Sequence, residues 1–177
     1  MNKNIYLKKK LTSSWFSLLQ ETICHEFEKI EIDFGKKNKQ KPKYFIKKNW
    51  KKSVNEGGGT HAKIKNGIVF DSVGVNFSEV SGKFHKKFRS QILGASNNPN
   101  YWASGISVVA HMKNPKIPAM HFNTRFIVTS KKWFGGGMDA TQSFNDTYEN
   151  KLFHKNIKLM CNSHNKKYYS KYKKWCD

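Results

Sequence analysis

Between Tyr44 and Thr129 the chain passes through five short stretches that alternate in polarity: YFIKKNW, HAKIK, IVFDSVGVNF, GISVVAHM and AMHFNTRFIVT. Alternation sends successive side chains to opposite faces of a pleated strand, so each stretch can bury one face and wet the other. Asn66-Gly67, between the second and third, suits a two-residue hairpin because both residues tolerate positive φ. These signals predict an antiparallel sheet.

The sequence on either side has a different period. In SSWFSLLQETICHEFEKI, Trp15, Leu18, Leu19, Ile23, Phe27 and Ile30 recur at helical spacing, and Ser13 or Ser14 can cap the start. This predicts an amphipathic helix packing those residues on the core. The polar, basic run Gly35 to Lys43 contains Pro42 and reads as an exposed loop. After Ser143 a helical rhythm returns in Phe144, Tyr148, Leu152, Ile157 and Leu159, then in Tyr168, Tyr169, Tyr172 and Trp175 up to the last residue. The expected architecture is α+β, an antiparallel sheet flanked by helices, in one domain over residues 1–177.

Charge narrows the partners without choosing one. Lys and Arg number 33 against 12 Asp and Glu, a net charge of +21 that draws polyanions of any kind. The excess is mostly Lys scattered in pairs, whereas sequence-specific nucleic-acid readers lean on Arg forks. No nucleic-acid partner is expected. Cys24, Cys161 and Cys176 are odd in number and show no CxxC pairing, which favours a reducing compartment. With no membrane span and no signal-peptide pattern, the expected location is the cytoplasm.

The densest polar cluster is GISVVAHMKNPKIPAMHFNTRF, which brings Ser107, His111, His121, Asn123 and Arg125 into two strand-like runs. Alternation puts His121, Asn123 and Arg125 on one sheet face; a solvent-facing strand accounts for such a triplet as well as a binding face does. His111 and His121 lack the spacing of a zinc motif. EGGGTH, residues 56–61, lacks the Gly-Lys-Ser/Thr ending of a phosphate loop. In KKWFGGGMDATQ, three glycines between Phe134 and Asp139 read as backbone brought close to something rather than as a linker.

Together these stretches resemble the oxygen-dependent coproporphyrinogen III oxidases. The resemblance is carried by KNW with EGGG (48–59), NGIVFDSVGVNFSEVSG (66–82), GISVVAHMKNPKIPAMHFNTRF (105–126), WFGGGMD (133–139) and KKWCD at the end. They stand in family order, with family-like spacing, over most of the chain from Lys48 onward. The resemblance implies an enzyme that uses dioxygen as co-substrate to turn two propionates of coproporphyrinogen III into vinyls. The products are protoporphyrinogen IX, carbon dioxide and hydrogen peroxide. It implies no flavin or haem, because the electron-rich pyrrole itself can activate oxygen. A homodimer is the family's assembly.

The same resemblance implies roles for individual residues. Ser107, Asn123, Thr124 and Arg125 fall in the substrate segment, with Arg125 a natural fork for a carboxylate and Thr124 contributing backbone. His121 takes the position of the proton donor, and Asp139 is placed to accept pyrrole N–H bonds. A divalent metal described for some bacterial members would map to His111, His121 and His154. Against the family pattern the chain carries Met112, Lys113, Lys132 and the run Ala140 to Ser143 at positions near the presumed pocket. Family members continue past KKWCD, which leaves three expectations: an active oxidase or the part of one completed by a second chain, an inactive fragment, or a basic, aromatic-rich sheet that takes single-stranded RNA.

Overall fold

The computed structural model describes residues 3–144 and 147–176. They form two compact units, the first ending at Thr141 and the second beginning at Gln142. The first holds a long helix α1 (Lys3–Asn38) and six strands: β1 (Ile46–Ser53), β2 (Gly57–Lys65), β3 (Phe70–Lys83), β4 (Asn100–Met112), β5 (Ala119–Val128) and β6 (Lys132–Thr141). The strands pair antiparallel in sequence order, a six-stranded meander. In the second unit, α2 (Thr147–His164) is followed by α3 (Tyr168–Cys176).

All five alternating stretches fall mostly in strands, with Tyr44, Phe45, Ile68, Val69 and Thr129 just outside them, and α+β is the fold class. The sixth strand was not foreseen. Its Gly135 to Gly137 carry no side chains to alternate, so the glycine run that suggested close approach also concealed a strand. The predicted two-residue turn at Asn66-Gly67 is replaced by a wider connection. Strand pairing stops at Lys65 opposite Ser72, and Asn66 takes a left-handed φ of 50° while its N–H donates to the Asp71 carbonyl at 2.8 Å.

Glu31 explains the wider turn. Its carboxylate lies fully buried and accepts from the backbone N–H groups of Ile68 (2.9 Å), Val69 (2.9 Å), Phe70 (3.0 Å) and Lys43 (3.3 Å). A tight hairpin would turn those donors elsewhere. Gly67 is also required here, since a Cβ would stand 2.3 Å from the Glu31 carboxylate.

α1 departs from its expected limits and in part from its expected face: Leu19, Ile23 and Phe27 pack against the core as predicted, and Trp15, Leu18 and Ile30 do not. It begins ten residues before Ser13, which is buried mid-helix and donates to the Glu79 carboxylate rather than capping. It also continues to Asn38, where Lys39 takes the left-handed conformation (φ 53°) and Gln40 N–H returns to the Gly35 carbonyl at 3.0 Å. That closure leaves only the later part of the predicted loop outside the helix. The buried stripe is Ser13, Phe16, Gln20, Cys24, Glu31 and Gly35, whereas Trp15 and Leu18 are 56% and 57% exposed. Polar residues won the inner face because they carry specific bonds: Gln20 Nε2 donates to the carbonyls of Thr60 and Val75, both at 2.8 Å, tying α1 to β2 and β3.

The core lies between α1 and one face of the sheet. Phe16 and Cys24 of the helix meet Ala62, Ile64, Val73, Val75, Ile106, Val108, Ala110 and Phe126 from alternate strand positions. Burial pushes the Cys24 thiol up to about 12, leaving it protonated and inert at neutral pH. Native protein treated with iodoacetamide at pH 8 should therefore be alkylated at exposed Cys176 and spared at Cys24, read by peptide mass spectrometry. Fast labelling of Cys24 would show that α1 does not hold this position.

Candidate active site

Because the α1 side of each strand takes the apolar residues, every intervening residue is delivered to the opposite, polar face. Strand register then aligns them in rows. Lys48, His61, Asn76, Ser107, Asn123 and Gly137 stand directly opposite one another across all six strands. The next row holds Lys63, Gly74, Val109, His121 and Asp139, and the row on the other side ends in Gly105, Arg125 and Gly135.

Most of the predicted site residues are therefore brought together. Ser107 and Asn123 are register partners, Arg125 follows on the same face of β5, and His121 is the partner of Asp139. His121 Nδ1 lies 3.4 Å from Asp139 Oδ2, which also accepts from Thr141 Oγ1 at 2.7 Å. His111 is close by, its ring 6.0 Å from that of His121 and nearly perpendicular to it. Asn123 Oδ1 is shielded and has no hydrogen-bond partner among the described residues, an uncompensated buried polar atom that calls for an explanation. Thr124 points the other way, opposite Ile106 and Gly136 on the α1 side, so only its backbone belongs to this patch.

The glycine run separates into two kinds. A Cβ at Gly136 would stand 2.4 Å from the Asn123 carbonyl oxygen, so packing alone demands glycine there. At Gly135 and Gly137 the nearest atom to an added Cβ is 3.9 Å away, an ordinary contact. The fold does not require those two, and their missing side chains leave a low floor beside Asn123 and Arg125.

His154 lies in the second unit, where its Nδ1 is 3.2 Å from the Tyr169 hydroxyl. Among the described residues, no three His, Cys, Asp or Glu side chains converge as a metal ion would need. The His111, His121 and His154 set implied by the resemblance draws on both units, and the chemistry proposed for the face is assigned to its own side chains.

Sequence reasoning missed the β1–β3 part of the face. Trp50 stacks on His61 (ring centroids 5.6 Å apart, 17° between planes), and His61 Nδ1 donates to Asn76 Oδ1 at 2.8 Å. The alternation of HAKIK put His61, Lys63 and Lys65 on one face. Only the register shows that this face is shared with His121.

The family model for coproporphyrinogen III oxidase matches residues 11–177. An oxygen-dependent coproporphyrinogen-III oxidase of Rickettsia rickettsii (strain Sheila Smith) is 47% identical over 169 residues, which are 96% of this chain and 60% of that protein. Its counterpart in Rickettsia bellii (strain OSU 85-389) is 46% identical over 177 residues, 100% of this chain and 62% of that protein. The chain spans about 60% of the length of the curated relatives it matches.

Proposed function

Since the chain belongs to the coproporphyrinogen III oxidase family, we propose that its polar face binds coproporphyrinogen III for oxygen-dependent oxidative decarboxylation to protoporphyrinogen IX. The observation that carries this reading is the convergence of Ser107, Asn123 and Arg125 on a glycine floor beside the His121–Asp139 pair. A flat tetrapyrrole needs a flat, low surface, and a propionate needs a fork and neutral donors at its edge. Arg125 offers two parallel N–H donors to a carboxylate, with Ser107 and Asn123 in reach of the same group.

In each half-reaction the propionate loses a C–H bond on the carbon next to the ring, and the two electrons pass to dioxygen. The bond to the carboxylate then breaks, its electron pair becomes the vinyl double bond, and carbon dioxide leaves. Reducing one dioxygen to hydrogen peroxide takes those two electrons and two protons, one from the C–H bond and one from a donor. His121 is the proposed donor, with Asp139 orienting its ring and stabilising positive charge on the macrocycle. No organic cofactor enters, because the pyrrole supplies the electrons.

No helix among the described residues is long and apolar enough to cross a membrane. The free thiols of Cys24, Cys161 and Cys176 support a cytoplasmic setting, and a homodimer rests on the family resemblance alone. The test is to supply anaerobically prepared coproporphyrinogen III, admit air and quantify the porphyrins by chromatography. Protoporphyrin should accumulate, and Arg125→Ala should cut the rate at low substrate about ten- to a hundredfold, the loss of one charge-assisted carboxylate contact. Coproporphyrin as the sole product would refute the proposed activity.

A further inference from the structure

The polar face has a pronounced charge pattern. From β1 to β5 no register-paired outward position carries an acid, exposed Asp71 standing unpaired at the β3 bulge, while Lys48, His61, Lys63 and Lys65 all face outward from β1 and β2. Among the described residues, Asp139 on β6 is the one carboxylate at a register-paired outward position of the sheet. Most other acids of this unit are on the opposite side or at the sheet's end: Glu21, Glu26, Glu28, Glu31 and Asp33 are on α1, Glu79 of β3 accepts from Ser13 of α1, and Glu56 pairs with Lys52 at the β1–β2 turn. Cations occur on both faces, Lys47 and Lys51 of β1 lying on the α1 side, but a general lysine surplus would also leave acids among the paired positions of each. Here one face is cleared of them.

We propose that Lys48 and Lys63 form a second carboxylate-binding end of this face, holding the propionates that stay intact while those near Arg125 and His121 react. The inference rests on the reading of the face given above. Lys63 shares its row with His121, three strands away, and Lys48 shares its row with Asn123, four strands away. At roughly 4.8 Å per strand these separations are about 14 Å and 19 Å. That is the scale of a tetrapyrrole lying flat with its side chains extended. Coproporphyrinogen III carries four propionates, of which the reaction consumes two, so a site with one cationic end would leave two carboxylates over neutral sheet. Gly74 on β3 and Gly105 on β4 lie between the ends, and Gly137 lies beside Asn123 on β6, so the floor leaves room for the ring.

Lysine suits this role better than arginine would. An ammonium on a flexible stem follows carboxylates whose position is not fixed by chemistry, whereas the reacting propionate calls for a planar fork. The arrangement gives the substrate a direction, with its reacting edge toward β5 and β6.

The experiment is a fluorescence titration of the purified chain with coproporphyrin III, the stable oxidised form of the tetrapyrrole. Wild type is compared with Lys48→Gln, Lys63→Gln, the double variant, Arg125→Ala and Lys37→Gln, the last a charge control at the end of α1. Each of Lys48→Gln and Lys63→Gln should weaken binding two- to fivefold and the pair roughly tenfold, as expected of exposed ion pairs, with Lys63→Arg retaining more affinity than Lys63→Gln and Lys37→Gln unchanged. If Arg125→Ala weakens binding while both lysine variants match Lys37→Gln, the second end does not exist and the reading of the face survives. If wild type fails to bind coproporphyrin III, both are overturned.

Discussion

Replacing Glu31 by alanine should lower the stability of the chain by about 3–5 kcal/mol, measured as the shift of its urea unfolding midpoint at constant m. Four backbone N–H groups lose their acceptor at once, and a hydrogen bond to a charged group is worth about 1.5–3 kcal/mol when its partner is buried. These contributions are not additive, so the expected loss is below their sum. Burial by itself would push the Glu31 carboxyl up, and the N–H groups of Phe70, Ile68, Val69 and Lys43 outweigh it, holding the group below the ordinary carboxylate range.

The sign of the pH effect follows. A carboxyl depressed on folding contributes stability that is present in full above its unfolded value, about 4.3, and disappears as pH falls through the lower folded value. Wild type should lose stability steeply below pH about 4, and Glu31→Gln should show a flatter acid limb from a lower starting point. An alanine variant as stable as wild type would mean that the β2–β3 connection holds its shape without α1.

Glu31 also shows why the sequence told only part of the story. Periodicity located five strands because polarity alternates in each, and it located α1 because apolar residues recur at helical spacing. It placed Leu19, Ile23 and Phe27 correctly against the core but added exposed Trp15 and Leu18, which outrank Gln20 and Glu31 on any hydrophobicity scale. Gln20 and Glu31 nevertheless lie inward, since each carries bonds to a distant part of the chain that no local window contains. The candidate site divides along the same line. Alternation within β5 grouped His121, Asn123 and Arg125, the polar cluster and the glycine run drew attention to Ser107 and Asp139, and the family resemblance gave those two their roles. The contribution of β1 and β2 depends on register between strands, which single-strand patterns do not encode.

The second large effect concerns the glycine floor. Gly137→Trp should leave folding intact while abolishing tetrapyrrole binding. An added Cβ at this position meets only Asn123 Nδ2, at 3.9 Å, and tryptophan is at home in a strand. Its indole would then stand on the polar face beside Asn123, in the place where the ring is proposed to lie. Gly136→Trp is the contrasting change: its Cβ would collide with the Asn123 carbonyl, so that variant should lose stability first.

The central claim is that the sheet face bearing Ser107, His121, Asn123 and Arg125 is the surface on which the tetrapyrrole lies. The most direct measurement is a coproporphyrin III titration of Gly137→Trp beside wild type, with thermal unfolding recorded on the same samples. Unchanged unfolding together with binding at least a hundredfold weaker is the predicted result. Wild-type affinity in a folded Gly137→Trp chain would contradict it and place the macrocycle elsewhere.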